Sequence, residues 1–201
     1  PLSSIKEIGL DALIITGANV TQPNLAEEIF WDPLCDVSDW ADEHVASTLC
    51  SCLATHAVVQ ARHNVRRKGL AKKCWGVYEH EVLKKDHPLV QDINTRVVVP
   101  HSRFNEVTEQ QFTDAGLHVL ISGEEPGVQL VVSADGFRTV FFQGHPEYDS
   151  ISLMKEYKRD VGEFIKGHFA EYPPIPQHYS DKHTKALFDE YKDRVRESVR
   201  K

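Results

Sequence analysis

The stretch Val140-Phe141-Phe142-Gln143-Gly144-His145-Pro146-Glu147-Tyr148-Asp149 joins the pattern of a buried strand to the start of a helix. The aromatic and β-branched run from Thr139 to Phe142 predicts the strand, and Gly144 ends it. Ligands of open α/β sheets bind beyond the carboxyl ends of the strands, which is where His145 would lie. With Glu147 two positions further on, His145 has the pattern of a general base beside a group that orients it. The alternative is a polar turn that leads into a helix.

The residues before this strand predict its neighbour in the sheet. Two β-rich runs, Val128 to Ser133 and Phe137 to Phe142, flank the turn Ala134-Asp135-Gly136. An Asp-Gly pair between two such runs is a strong signal for a hairpin. We therefore expect an antiparallel hairpin that ends at the His145 turn.

A second chemically suggestive junction lies far upstream, at Cys52. The run Val45 to Cys52 is small and partly β-branched, and Leu53 to His63 continues without glycine or proline, so a strand passes into a helix there. A nucleophile at such a turn is lifted above the sheet, close to backbone N–H groups that stabilise an oxyanion. A helix N-terminus also favours the thiolate form of a cysteine. The glycines usual in such a turn are replaced here by Ser51 and Ala54.

Two other interpretations of this segment stay open. Cys50 and Cys52 with His56 could form a metal cluster, but structural zinc sites usually space paired cysteines by two or more residues and need a fourth ligand. Alternatively, both thiols are small buried hydrophobic groups.

The composition is that of a soluble globular domain and excludes several classes of protein. Among 201 residues, 41% are hydrophobic and 26% charged, and the net charge of −7 argues against a broad basic surface for nucleic acid. The longest apolar runs are too short to cross a membrane, and Pro1 begins no signal-peptide pattern. Four cysteines are too few for a disulfide framework, so we expect reduced thiols and a cytoplasmic protein. One basic run, Arg66 to Lys73, is either a solvated face or attracts an anionic ligand.

The C-terminal part of the sequence divides into three segments. Ser150 to His168 has the apolar spacing of a helix, Glu171 to Tyr179 is a proline-rich linker, and Ser180 to Lys201 has the pattern of an amphipathic helix. We therefore predict a catalytic domain over residues 1–170 and a linker with a terminal helix over residues 171–201. This helix packs back on the domain or joins a partner chain, which leaves a homodimer open.

Taken together, the motifs resemble the homoserine O-acyltransferase family, of the homoserine transsuccinylase type. Their spacing is that of the family without gaps from Gly17 to Arg159. The matching residues are Ile14–Ala18, Phe30-Trp31, Trp40, Ser47–Leu49 before Cys52, Gly76–His80, Pro100–Arg103, Gly144–Asp149, Glu156-Tyr157 and Arg159-Asp160. The resemblance implies an α/β three-layer sandwich with a mostly parallel central sheet, similar to class I glutamine amidotransferases and flavodoxin, with the antiparallel hairpin and a C-terminal helix.

The resemblance also implies roles for individual residues. Cys52 is the nucleophile that accepts the acyl group, His145 is the general base, and Glu147 orients the imidazole. The substrate-contacting positions of the family fall on Lys73, Ser102 and Arg159. Arginine on the helix after the His-Glu turn suits bidentate binding of the carboxylate of an amino acid.

The implied reaction is ping-pong transfer of an acyl group from succinyl-CoA to the hydroxyl of L-homoserine, in methionine biosynthesis, without a cofactor or metal. Acetyl-CoA as donor and serine as acceptor are alternatives, as are hydrolysis or amide transfer and a non-catalytic binding protein. Thr21 stands where the family has Glu with acetyl-CoA and Gly with succinyl-CoA; a neutral Thr does not repel a succinyl carboxylate, which favours succinyl. Leu53-Ala54 and His56 differ from the family, and its N-terminal segment has no counterpart in this sequence.

Overall fold

The computed structural model describes residues 2–199, with the side chain of Leu2 left out of account. In this range the chain forms seven strands, six α-helices and one short 3₁₀ helix. Their bounds are Leu2–Ile8 (α1), Ala12–Ile15 (β1), Leu25–Glu27 (the 3₁₀ helix), Trp31–His44 (α2), Ser47–Ser51 (β2), Leu53–His63 (α3), Lys68–Val82 (β3), Arg96–Glu106 (β4), Glu109–Asp114 (α4), His118–Gly123 (β5), Gly127–Val132 (β6), Thr139–Phe142 (β7), Ser152–Ile165 (α5) and Lys182–Val199 (α6).

All seven strands belong to one sheet in the order β1-β2-β7-β6-β5-β3-β4. The pairs β1–β2 and β2–β7 are parallel. The pairs β7–β6, β6–β5, β5–β3 and β3–β4 are antiparallel. The α/β class is therefore confirmed, but the sheet is mixed rather than mostly parallel as predicted, because hairpin connections extend it beyond the three parallel strands.

The predicted hairpin is present and joins β6 to β7. Its turn is held by the Asp135 carboxylate, which accepts hydrogen bonds from the Ser133 hydroxyl and from the backbone N–H groups of Phe137 and Arg138. Gly136 has a φ of +89°, which glycine adopts without strain. Local turn chemistry therefore fixes where β7 begins, and with it the register of the strand that precedes His145.

Strand β4 is longer than the sequence predicts, because it continues through Pro100 to Glu106. Proline is tolerated there because β4 is the edge of the sheet, where a backbone N–H is not needed on the outer side. Pro100 pairs with Val77 of β3, and its carbonyl accepts a hydrogen bond of 2.8 Å from the His145 N–H. The strand edge thus holds the turn that follows β7.

Helix α3 is the most deeply buried helix of the described chain. Its residues from Leu53 to Gln60 are all buried, and it shares a core with β2, α4, β6 and β7. On the opposite face of the sheet a second core includes Leu130, Val132 and Val140, which alternate in β6 and β7 with Val131 and Phe141 of the first. No helix within residues 2–199 is both long and apolar enough to span a bilayer.

The proline-rich linker packs on the sheet and does not extend into solvent. The backbone of Gln177 makes two hydrogen bonds to β3, from its N–H to the carbonyl of Trp75 (2.8 Å) and from the N–H of Val77 to its carbonyl (2.9 Å). Beyond the linker, Phe188 and Val195 of α6 join a core cluster with α5 and Trp75. The predicted terminal helix is observed over Lys182–Val199, while residues 200–201 lie outside the described residues. The domain boundary at residue 170 stays a prediction.

Replacing Gly76 by alanine tests this docking of the linker. Gly76 has a φ of +154°, and an added Cβ would overlap the backbone of Gln177. We expect Gly76→Ala to lower the free energy of unfolding by about 2–3 kcal/mol, measured by urea denaturation. Gly162→Ala is the matched control, because a Cβ there meets no atom within 4 Å and helix α5 gains propensity. Equal stabilities of the two variants would contradict the packing of the linker on β3.

Candidate active site

Cys52 lies in a strained turn between β2 and α3. Its φ is +52° and its ψ is −112°, a conformation that residues with a side chain rarely adopt. Two hydrogen bonds hold it there, from the Cys52 N–H to the carbonyl of Phe142 (2.8 Å) and from the Thr55 N–H to the carbonyl of Cys52 (3.0 Å). Backbone strain that is maintained by surrounding hydrogen bonds is typical of functional sites, and the turn has the geometry expected of a nucleophile elbow.

The two thiols of the Cys-Ser-Cys segment have different environments. Cys50 is fully buried, and burial raises its pKa to about 12, so it is an inert core group. Cys52 is partly exposed. The interpretation of both thiols as buried hydrophobic groups is therefore correct for Cys50 and wrong for Cys52.

The alternative metal cluster lacks its third ligand. His56 is buried, and its Nε2 donates a hydrogen bond of 2.9 Å to Oε1 of Gln143, so this nitrogen is not available as a metal ligand. Within residues 2–199, no three His, Cys, Asp or Glu side chains are grouped so as to hold a metal ion.

His145 follows β7, the parallel neighbour of β2. Because Ser51 pairs with Phe142, both strands end at the same edge of the sheet, and the Cys52 and His145 side chains meet there. The Nδ1 atom of His145 lies 2.8 Å from Oε1 of Glu147. Since a carboxylate only accepts hydrogen bonds, Nδ1 carries the proton and donates a hydrogen bond to Glu147. Glu147 also accepts a hydrogen bond of 3.2 Å from the Ser51 hydroxyl.

The charge around His145 favours its protonated form. Burial alone would lower its pKa, but the neighbouring Cys52 sulfur and the carboxylate of Glu147 outweigh burial and raise the pKa to about 9. The imidazole is thus an acid–base group placed directly beside the sulfur. Cys52, His145 and Glu147 are brought together as the sequence predicts, and their catalytic roles stay predictions.

A second cluster lies beside this one and contains the predicted substrate-binding residues. Ser102 donates a hydrogen bond of 2.6 Å to the Glu156 carboxylate, and Lys73 Nζ lies 3.6 Å from the same carboxylate. Lys73 is also 4.0 Å from Asp160, whose other oxygen is paired with Arg159 at 2.9 Å. The structure therefore gathers Lys73, Ser102 and Arg159 around two acidic residues, although the Arg159 side chain is largely exposed.

Glu156 and Tyr148 are the members of the site to which the sequence assigned no role. Burial acts to raise the pKa of Glu156, but hydrogen bonds from Ser102 and Tyr148 and the charge of Lys73 outweigh it and lower the pKa. Glu156 is therefore ionised at neutral pH. Both residues lie within motifs that carry the family resemblance, which was the only signal in the sequence that could have identified them.

Thr21, the predicted donor-specificity residue, is exposed in the loop after β1. The N–H groups of Thr21 and Gln22 both donate hydrogen bonds to the buried Glu28 carboxylate, which fixes the loop. Burial lowers the pKa of Arg67, and the negative charges of Glu28 and Cys52 act on it in the opposite direction. A guanidinium group thus lies in the electrostatic neighbourhood of both the loop and the thiol.

Comparison with known proteins identifies the family. The family model described as homoserine O-succinyltransferase matches residues 1–197. The chain belongs to the homoserine O-succinyltransferase family. It is 60% identical over 191 residues to a homoserine O-succinyltransferase of Allochromatium vinosum, covering 95% of this chain and 54% of that protein. A homoserine O-succinyltransferase of Thioalkalivibrio nitratireducens is 55% identical over 195 residues, 97% of this chain and 55% of its own length. The chain thus spans about half the length of these relatives.

Solved structures confirm the predicted fold. A glutamine amidotransferase of Thermotoga maritima superposes with a TM-score of 0.59 and 11% identity, over 94% of this chain and 77% of that chain. The glutaminase domain of Trypanosoma brucei CTPS gives 0.54 and 15% identity, over 88% and 80%. Identities this low show the architecture alone.

The pKa of His145 provides a test of the site geometry. Because Cys52 and Glu147 both favour the imidazolium, removing either should lower this pKa from about 9, with Cys52→Ala having the larger effect and bringing it towards the ordinary value of about 6.5. NMR titration of the imidazole signals measures it directly. Glu171→Gln, in the exposed part of the linker, controls for a general change in charge. A pKa unchanged in both Cys52→Ala and Glu147→Gln would show that these groups do not contact the ring.

Proposed function

We propose that this chain carries the acyl-transfer centre of a homoserine O-succinyltransferase, which moves the succinyl group of succinyl-CoA to the hydroxyl of L-homoserine in methionine biosynthesis. The observation that supports the proposal is the meeting of Cys52 with an imidazole held by Glu147, in a chain of this family. Cysteine, histidine and carboxylate in this arrangement suit covalent acyl transfer. A cytoplasmic location and a homodimer remain predictions.

In the first step the Cys52 thiolate attacks the thioester carbonyl of the donor. A C–S bond forms to Cys52, the bond to the CoA sulfur breaks, and the protonated His145 supplies the proton to the departing thiol. The oxyanion of the tetrahedral intermediate needs hydrogen-bond donors. The N–H of Leu53 is a suitable donor, because the first N–H groups of a helix have no partner within the helix. Gly17 leaves space beside it, since a Cβ at that position would lie only 3.7 Å from the Leu53 nitrogen.

In the second step the hydroxyl of homoserine attacks the acyl-enzyme. Neutral His145 takes the hydroxyl proton, a C–O bond forms, and the C–S bond to Cys52 breaks to regenerate the thiolate. Glu147 keeps the proton of the ring on Nδ1, so that Nε2 is the atom that exchanges protons with the reactants. One imidazole thus acts as acid in the first step and as base in the second.

The acceptor would bind at the second cluster. Lys73 and Arg159 supply positive charge for the carboxylate of an amino acid, and the Ser102 oxygen, whose hydrogen is donated to Glu156, can accept a hydrogen bond from its amino group. Lys73 is partly buried against the rings of Trp75 and Phe104, 4.1 and 5.5 Å from their centroids. Its charge is therefore held in one place near the reacting groups and is not spread over the surface.

For the donor, the charge around Thr21 favours succinyl over acetyl. The Thr21 side chain is neutral, and the nearby carboxylate of Glu28 accepts hydrogen bonds from the backbone N–H groups of Thr21 and Gln22. A free succinyl carboxylate would therefore meet no repulsion from the side chain at position 21.

The covalent intermediate is the first test. We expect mass spectrometry of the purified protein mixed with succinyl-CoA to show a succinyl adduct on Cys52 that disappears when homoserine is added. Cys52→Ala should form none, and His145→Ala should react at least about a hundredfold more slowly while remaining folded.

Two outcomes would contradict the proposal. A folded wild-type protein without any adduct would favour a protein that binds these ligands but does not react with them. An adduct that decays to free succinate at the same rate with and without homoserine would indicate a hydrolase.

The choice of donor is tested by adding charge at Thr21. Thr21→Glu should lower kcat/KM for succinyl-CoA about tenfold or more relative to acetyl-CoA, because the new carboxylate repels that of the succinyl group. Thr21→Gln introduces a neutral side chain of the same size as glutamate, so it separates the effect of charge from that of volume. It should leave the ratio of kcat/KM for the two donors nearly unchanged. Equal losses for both donors in Thr21→Glu would mean that residue 21 does not face the acyl group.

A further inference from the structure

Tyr148 connects the Cys52–His145 pair to the Glu156 cluster. Its ring stacks on the imidazole of His145, with centroids 4.2 Å apart and planes inclined by 19°. Its hydroxyl donates a hydrogen bond of 2.6 Å to Oε1 of Glu156, the carboxylate that also binds Ser102 and Lys73. One side chain therefore contacts the predicted base and the predicted acceptor-binding cluster at the same time.

The anchor of Tyr148 is well fixed. Glu156 lies on α5, whose Leu153, Tyr157 and Val161 are buried in the core, and its own side chain is only 14% exposed. Burial, the hydrogen bond to Glu156 and the charge of that carboxylate raise the pKa of Tyr148 far above its ordinary value. The phenol therefore stays neutral and remains a donor over the whole pH range in which enzymes work.

The other contact that orients His145 is more exposed to solvent. The side chain of Glu147 is 53% exposed, whereas that of His145 is 13% exposed. Interactions of an exposed carboxylate are weakened by water and salt. In addition, a single hydrogen bond at Nδ1 leaves the imidazole free to rotate about the line that joins Nδ1 to the Glu147 oxygen. A ring stacked flat on the imidazole removes that freedom.

We propose that Tyr148 is a positioning residue, which holds the plane of the His145 imidazole by stacking and is itself fixed by its hydrogen bond to Glu156. Its kinetic consequence rests on the proposed acyl transfer. A ring held at the orientation needed for both proton transfers favours a high kcat, since small misplacements of catalytic groups reduce rates strongly. Binding of succinyl-CoA does not require this orientation.

Two substitutions separate the two contacts of Tyr148. Tyr148→Phe keeps the stacked ring and removes the hydroxyl, and Tyr148→Leu removes the stacking but keeps an apolar side chain over the imidazole. We expect kcat to fall about 3- to 10-fold in the first and about 100-fold in the second, with KM for succinyl-CoA changed less than about twofold. Tyr179→Phe is the matched control, because it removes a hydroxyl that donates a hydrogen bond of 2.7 Å to the carbonyl of Ser150.

NMR titration of His145 supplies a readout that does not depend on turnover. A ring that is no longer held against Cys52 and Glu147 loses the contacts that favour its protonated form, so its pKa should fall in Tyr148→Leu, and less in Tyr148→Phe. If the wild-type protein transfers no acyl group, the proposed function fails and this titration alone decides the role of Tyr148. If Tyr148→Leu does not fold, Tyr148→Phe decides it. A folded variant with wild-type kcat and an unchanged His145 pKa would overturn the inference.

Discussion

The parallel pairing of β2 with β7 is the contact on which the site depends. Ser51 is opposite Phe142 at the last step of the ladder, and the Cys52 N–H adds one more hydrogen bond to the carbonyl of Phe142. Cys52 follows β2 directly, and His145 follows β7 after a short turn. Two segments that lie far apart in the sequence are thus held side by side by backbone hydrogen bonds.

Buried amide groups hold the turn between β7 and His145. The Gln143 side chain accepts hydrogen bonds from the Val107 N–H and from His56, and donates to the carbonyls of Val107 and Val128. Each such buried group costs about 1–3 kcal/mol if left unpaired, so alternative turn conformations are unfavourable. Gly144 then passes so close to His101 that a Cβ would lie 2.8 Å from its ring. Position 144, just after the end of β7, therefore has no space for a side chain.

Local signals allowed the centre of the site to be predicted, whereas features created by tertiary pairing could not be. Helix α3 was predicted over its observed bounds, Leu53–His63, because this run is rich in alanine and valine and contains no glycine or proline; the helix ends where Asn64 adopts a left-handed conformation. In contrast, Lys68 to Lys73 is polar and resembles a loop, yet it belongs to β3, because Lys68 pairs with Glu106 across the sheet. A polar strand end has no alternating pattern to reveal it. The contact of Tyr148 with Glu156 was likewise not predictable, because it depends on the angle at which α5 leaves the turn.

The strain at Cys52 and the position of His145 are consequences of the same strand. The unfavourable φ of Cys52 is maintained by a hydrogen bond to Phe142, and the Thr55 hydroxyl, on the first turn of α3, also donates to the Phe142 carbonyl at 2.8 Å. A displacement of β7 would therefore release the strained turn and move the imidazole together. The segment between the two motifs supports this arrangement, because the carbonyl of Pro100 accepts a hydrogen bond from the His145 N–H and Val107 is paired with the Gln143 side chain. The relative position of the Cys52 and His145 side chains is therefore set by two short motifs at strand ends and by the pairing of those strands.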